Sequence, residues 1–534
     1  MDLARAWRAS APNAALVGIV CIAFALRLPG YLLAPPLWLD EAWRAERILD
    51  PAIVSGYLYR PSLYTGATAP LFVLIVKAFA FASVSELSLR AVSLASGILA
   101  VALAWMVVRR ATGKPTMAAL AAAMVAANYS FVRYSSEFKP YAFEVAVHLG
   151  LTYFWIAFLA AAPTQRRKAF VLAIAAAVVG LLAGANTVFV IPALSLSLAY
   201  GWLKDRGNLS GSALIGGFAA VGLAMAAMYF LVWRYGRDPG LIQFWAKGFN
   251  TDGQPYAAFL AQKADEMFGA GAFAFVHHDY HGSLRLVPIA QLALALGCAV
   301  GLISSLRRLR FELLLFYGTL ALTAVALNFL GFWPLGAYAQ NQFLYAHMIV
   351  GGVLLLGEIR WSVLRNAVAA SCVVALSSGL LRLDLHKLQL DGAPPIEQSR
   401  DALEVLAGEI AREGAATCEA PRSQVFLNPG INPPFLFYTK YHDARSGLRA
   451  LVSGCNEIVV VPEAYSDAGA ARRRISESLR AGINPWFAYS HLSAVEAADL
   501  IQVARSFGEV TGERSFTGAG VFRLVVSPDF RQTK

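Results

Sequence analysis

About eleven apolar runs of roughly 17 to 23 residues constrain this chain more than any other feature, because each is long enough to cross the ~30 Å of a bilayer's hydrocarbon core. They fall at residues 13–30, 88–108, 115–133, 141–162, 169–184, 186–203, 211–233, 284–304, 312–331, 343–358 and 364–383. In lipid every backbone N–H and C=O must find its partner inside the segment, so such runs are helices and the fold is a mainly α, polytopic transmembrane bundle. The composition agrees, with 57% hydrophobic and 15% charged residues and a mean hydropathy of +0.54 over 534 residues. A net charge of +11 would suit a nucleic-acid binder, yet the lysines and arginines stand in small clusters between apolar runs rather than in one stripe. The charge therefore reports topology, and nucleic acid is excluded as a partner.

One shorter apolar stretch, 69–82, carries Lys77 and reads as an interfacial helix on the outer surface; as an additional span it would invert every later assignment. Kept interfacial, it leaves Arg109, Arg110 and Lys114, Arg166, Arg167 and Lys168, Lys204 and Arg206, Arg307, Arg308 and Arg310, and Arg360 and Arg365 on the side of the N-terminal Arg5 and Arg8. The opposite short loops, around Ala185 and at 331–342, hold no lysine or arginine. By the positive-inside rule the N-terminus is cytoplasmic, and 31–87, 134–140 and 234–283 face outward. The first run has no small-x-small cleavage pattern before the polar segment and reads as a retained helix.

Beyond residue 383 the pattern changes. Short apolar segments at 424–427, 458–461 and 520–526 read as strands, and amphipathic stretches at 400–412, 471–480 and 494–505 read as helices. That predicts a transmembrane domain over 1–383, including an exoplasmic loop at 31–87, and a soluble α/β domain over 384–534 on the periplasmic or extracellular face of a plasma membrane. No strand in this second domain ends in a glycine-rich phosphate loop. Cys21, Cys298 and Cys372 lie within apolar runs as small hydrophobes, whereas Cys418 and Cys455 lie in the outer domain, where an oxidising compartment would let them pair.

Two outward segments carry the variety that chemistry needs. Asp40 and Glu41 follow Pro35, Pro36 and Trp38 just past the first span, where carboxylates are costly to keep and mark function; the structural alternative is a helix start whose dipole favours acids. The turn from Arg133 to Tyr141 sets Arg133, Lys139, Glu137, two serines and two tyrosines between two spans. Its structural alternative is an interfacial anchor of snorkelling side chains. His277, His278, Asp279 and His281 offer zinc-type ligands, although neighbouring histidines seldom reach one ion. Trp245 and Tyr256 could stack on a sugar or sit as interface aromatics.

With these residues in view, the chain resembles the GT-C membrane glycosyltransferases, in the branch of protein O-mannosyltransferases and the lipid A aminoarabinose transferase. The resemblance rests on the Asp40–Glu41 pair, the downstream stretch beginning APLFVLIVKAF, the basic turn RRATGK and the string YSSEFKPYAF, and it covers about residues 13–160. It implies an inverting transfer of a sugar from a polyprenyl-phosphate donor to a hydroxyl of a lipid, glycan or protein acceptor on the exoplasmic face. A lipid phosphate leaves without protonation, so such a site needs a base and cations rather than a glycosidase's acid. Asp40 would be the base, with Glu41 and Glu137 orienting the acceptor or sharing a divalent cation, magnesium or manganese, if one is used. Lys139 and Arg60, then Arg133 and Lys77, with the hydroxyls of Tyr64 and Tyr141, would hold the donor phosphate. In one respect the chain departs from the family. Relatives often carry a cation before the late span, and here Phe332-Trp333-Pro334 is followed by Gln340-Asn341-Gln342.

Two other classes remain open to the sequence. A transporter or flippase should carry ionisable groups at span midpoints or broken helices at matching places in two halves, and the polar residues here collect in outward loops instead. A non-catalytic scaffold of envelope glycan assembly would tolerate the loss of Asp40. The identity of sugar and acceptor is a matter of pocket shape.

Overall fold

The computed structural model describes residues 3–49, 68–204, 210–233, 245–268, 295–304, 311–336, 338–382, 397–412, 423–443, 446–452, 456–462, 467–480 and 482–528. Arg60, Tyr64, the histidines at 277–281, Cys418 and Cys455 lie outside the described residues. The chain folds as two compact units: Met1–Leu32, Leu58–Ile75 and Arg90–Gly392 form one, and Leu33–Tyr57, Val76–Leu89 and Ala393–Lys534 the other. The second unit thus takes in 33–57 and 76–89, parts of the loop that the sequence reading left with the transmembrane domain.

The first unit is helical. Six helices among the described residues are long and apolar enough to cross a membrane: Ala14–Leu32, Glu86–Thr112, whose first turn up to Leu89 belongs to the second unit, Tyr141–Leu159, Ala185–Leu203, Gly211–Phe230 and Phe311–Phe329. Other expected spans appear as Arg166–Ala183, Gln342–Glu358 and Ser362–Arg382. The stretch at 115–133 is two helices, Pro115–Ala127 and Tyr129–Tyr134, because Asn128 turns extended and its side chain accepts from the Phe131 N–H, capping the second. The 69–82 stretch forms the helix Pro70–Ala82, whose 13 residues span only about 20 Å at 1.5 Å per residue. Helix Pro115–Ala127 is mostly buried, and its alanines let the first helix and Gln342–Glu358 approach closely. Trp155 stacks on Phe316 at 4.1 Å between ring centroids in the same core. Large apolar side chains also face outward, such as Ile215 and Leu223, as a lipid-facing surface requires.

The second unit is built on a five-stranded sheet in the order β2-β1-β3-β5-β4, where β1 is Ser423–Leu427, β2 Asn456–Val460, β3 Trp486–Ser490, β4 Gly508–Phe516 and β5 Ala519–Val526. Strand β1 runs parallel to β2 and β3, and β5 runs antiparallel to β3 and β4. The register sets Phe426, Phe487 and Phe522 side by side, and the three rings stack at 4.8 Å per step across the middle of the sheet. Around this ladder pack Leu500, Ile501 and Ala504 from the helix Ala494–Arg505, and Ala471 and Ile475 from Ala468–Ser478. The first of those helices begins with a capping box, in which the Ser493 hydroxyl accepts from the Glu496 N–H and the Glu496 carboxylate from the Ser493 N–H.

Candidate active site

The candidate residues are divided between the units. In the helical unit, the turn after Tyr129–Tyr134 is fixed by a buried arginine that the sequence reading passed over. Arg27, fully buried in the first helix, donates from Nε to Ser135 Oγ at 3.1 Å, and from its terminal nitrogens to the carbonyls of Ala126 at 2.9 Å and Val125 at 3.2 Å. Gly97 and Gly30 let their helices close on Ser135 and Ser136, since a Cβ at either position would collide with the serine. Ser93 then donates to the Lys139 carbonyl at 3.0 Å, and the Glu144 N–H to the Pro140 carbonyl at 2.8 Å, starting the helix Tyr141–Leu159.

Within this turn Arg133 Nε meets Glu137 Oε1 at 2.9 Å, an i,i+4 ion pair, so the two groups assigned separate roles from the sequence stand together. The guanidinium also lies 5.0 Å over the Tyr134 ring, which meets Tyr141 edge-on at 5.3 Å. The Glu137 carboxylate offsets the cost of burying the Arg133 charge. Burial, and then Glu137, push the Tyr134 phenol up, so it stays a neutral donor. Lys139 is buried and Tyr141 half-buried.

Deeper in the helical unit, Glu144 Oε2 accepts from Asn186 Nδ2 at 2.9 Å, and Asn186 Oδ1 lies 3.0 Å from His148 Nε2. An amide oxygen only accepts, so His148 carries its proton on Nε2, and His347 Nε2, 3.2 Å from His148 Nδ1, must be the donor of that pair. The late loop is organised by its amides. Asn341 accepts from Trp333 Nε1 at 2.7 Å and donates to the carbonyls of Pro334 and Gly336, and Gln342 reaches the Ser130 carbonyl at 3.3 Å. Lys263, buried and paired with Glu266 at 2.8 Å, lies against Gly336, so a cation does stand beside this loop, contributed from another segment. Trp245 and Tyr256 serve packing: Trp245 meets Tyr338 edge-on at 4.9 Å, and Tyr256 donates to Asn328 Oδ1 at 3.0 Å.

In the α/β unit, Asp40 and Glu41 open the helix Leu39–Leu49, which packs on Asn432–Leu436. Asp40 is half-buried and Glu41 buried. Arg44 is also buried, one turn on from both, where helical spacing sets it on their face. Its i+4 spacing from Asp40 is the signal in the sequence that points to it. The preceding segment is tied down at Leu37, whose N–H donates to the Tyr438 hydroxyl at 2.9 Å and whose carbonyl accepts from Ser399 at 3.3 Å. Lys77 is half-buried on the helix Pro70–Ala82. For a divalent cation the fit is poor: Glu137 is engaged by Arg133, and among the described residues no three His, Cys, Asp or Glu side chains are arranged to hold a metal. No step is assigned to one.

Comparison with known proteins adds the architecture. Residues 67–233 match the family described as dolichyl-phosphate-mannose-protein mannosyltransferase, a stretch that includes the Arg133–Tyr141 turn and leaves out Asp40. The crystal structure of ArnT from Cupriavidus metallidurans bound to undecaprenyl phosphate superposes with a TM-score of 0.54 at 14% identity, over 97% of this chain and 99% of that one. The chain has the GT-C fold. An oligosaccharyltransferase from Archaeoglobus fulgidus in the apo form aligns more weakly, with a TM-score of 0.46 at 15% identity over 97% of this chain and 75% of that one. No curated protein sequence matches the chain. With the GT-C fold and its six long apolar helices, this is a multi-pass membrane protein.

Proposed function

We propose that the chain is an integral-membrane inverting glycosyltransferase that moves a sugar from a polyprenyl-phosphate donor to a hydroxyl acceptor on the exoplasmic side of a plasma membrane. The observation that carries this reading is the family match over 67–233, because that stretch includes Arg133, Glu137, Lys139 and Tyr141. The GT-C fold and the undecaprenyl phosphate bound by ArnT support a lipid-phosphate donor. In the proposed step the acceptor oxygen attacks the anomeric carbon, the bond from that carbon to the phosphate oxygen breaks, and the acceptor proton passes to Asp40. Lys139 and Arg133, with the Tyr141 hydroxyl and Arg60 and Tyr64, stabilise the charge gathering on the leaving phosphate. Glu137 holds Arg133 in place, and Glu41 orients the acceptor.

A transport function draws on one observation, the buried Glu144–Asn186–His148–His347 string inside the helical unit. Incubating the purified protein with a panel of polyprenyl-phosphate sugars and candidate acceptors separates the two. The enzyme releases free polyprenyl phosphate and a glycosylated acceptor from one donor of the panel, whereas a carrier moves the donor with its phosphate ester intact, and that outcome would overturn the reading.

A further inference from the structure

Among the fastenings of the segment that carries Asp40, the one nearest the carboxylate runs through Glu397 and His491. The Leu39 N–H, one residue before Asp40, donates to Glu397 Oε2 at 3.2 Å. Glu397 is buried, and its other oxygen, Oε1, is bonded by His491 Nδ1. A carboxylate only accepts, so His491 presents a proton at Nδ1. The same imidazole stacks against Trp38, at 6.5 Å between ring centroids and 22° between planes. One half-exposed histidine thus braces both the side chain before Leu39 and the carboxylate that holds the Leu39 backbone.

Both halves of this clamp are rooted in the sheet. Next to Glu397, Gln398 exchanges two hydrogen bonds with Thr517 in the turn between β4 and β5, each 3.0 Å long. His491 follows the last residue of β3; its N–H donates to the Gly518 carbonyl at 2.9 Å, and Asn428 pins the adjacent Ser490 through both of its backbone groups. Backbone strain is concentrated here as well. Among the described residues only Ala34 and His491 adopt a left-handed φ without being glycine, at 42° and 61°. Ala34 lies upstream on the same segment, where its carbonyl accepts from Arg400 at 3.3 Å. Strain of this kind persists only where the surroundings over-determine it, and it gathers where a group must be held in place.

We propose that Glu397 and His491 are positioning residues for Asp40. Glu397 fixes the backbone from which the base projects, and His491 fixes Glu397; neither touches substrate. The inference rests on the reading of Asp40 as base and deepens it, because it gives the C-terminal unit a part in the chemistry. A carboxylate anchored one residue from the base sets where its oxygen stands, and misplacement by an ångström can cost a catalyst about 10²-fold.

The test combines steady-state transfer kinetics with peptide-level hydrogen exchange on the full-length protein in detergent, using Glu397→Ala, Glu397→Gln and His491→Asn. Glu397→Ala should lower kcat about tenfold with KM for the donor within about twofold, and should speed exchange in the peptide containing Leu39. Glu397→Gln keeps an acceptor for Leu39 and can donate to the other tautomer of His491, so it should restore kcat to within about threefold of wild type. His491→Asn removes the ring while tolerating the left-handed backbone, so it folds even if Glu397→Ala does not, and it should show a smaller loss in the same direction. Wild-type kcat per folded molecule in Glu397→Ala or His491→Asn, or unchanged exchange at Leu39, would overturn the inference. Failure of the base assignment shows differently, as full activity in Asp40→Asn, and the exchange measurement then decides the clamp by itself.

Discussion

In the helical unit, the buried cation of Arg27 is satisfied by four neutral acceptors, the Ser135 hydroxyl and the carbonyls of Ala23, Val125 and Ala126, whereas in the α/β unit Glu86 is buried among charge-bearing partners. Its Oε1 accepts from Arg400 at 2.9 Å and from the Tyr438 hydroxyl at 3.1 Å, and its Oε2 lies 2.8 Å from His442 Nε2. The difference follows from what each unit packs with. A helix bundle offers carbonyl dipoles and small side chains at close range, so a lone charge there is solvated by backbone. The α/β unit brings together segments far apart in sequence, and side chains of opposite sign meet where they join. Each device holds down candidate residues of its own unit: Arg27 the turn that carries Arg133, Glu137 and Lys139, and the Glu86 and Glu397 clusters the segment that leads into Asp40.

The contrast can be broken or sharpened by substitution. The largest effect should come from Glu86→Ala, which leaves Arg400 and His442 without their carboxylate and should cost about 4 kcal/mol of unfolding free energy in detergent. Arg27→Met keeps most of the volume and gives up hydrogen bonds to neutral acceptors only, so it should cost about 2 kcal/mol. A larger loss for Arg27→Met than for Glu86→Ala would erase the distinction between the two devices.

The smallest effect is expected at an exposed pair of the α/β unit. The hydrogen bonds from Arg480, at 2.7 and 3.0 Å, hold the Glu457 carboxyl below its ordinary pKa against the opposing push of burial. Because the folded value lies below the unfolded one, near 4.3, the pair contributes its stability fully above about pH 4.3 and loses it as the pH falls through the folded value. The stability difference between wild type and Arg480→Gln, measured by thermal denaturation, should therefore be present at pH 7 and shrink below about pH 4. A difference that grows on acidification would contradict the assignment.

How much of this was legible in the sequence depends on how far each signal reaches. Apolar run length gave the helices of the bundle, whereas the Arg133–Glu137 pair was not read, because Glu137 stands in the turn beyond the helix Tyr129–Tyr134, where helical spacing does not apply. The apolar cores of β1, β2 and β5 announced themselves; β3 and β4 did not. In β4, GEVTGERSF is mostly exposed with no clean period of two, as an edge strand paired only with β5 can be. Asn128 was invisible as a helix break because its capping role depends on one side-chain bond. Arg27 was missed because three of its four partners lie 98 to 108 residues away, and three of the four acceptors are carbonyls, which every residue carries. Glu397 was missed likewise, as it acts on a backbone N–H 358 positions earlier.

The central claim is that Asp40 takes the acceptor proton in a sugar transfer, and it is tested most directly by the kcat of Asp40→Asn with the donor and acceptor that wild type uses. The account predicts a fall of about 10²- to 10⁴-fold, with donor KM little changed and the protein folded. Asp40→Asn turning over at the wild-type rate would contradict it.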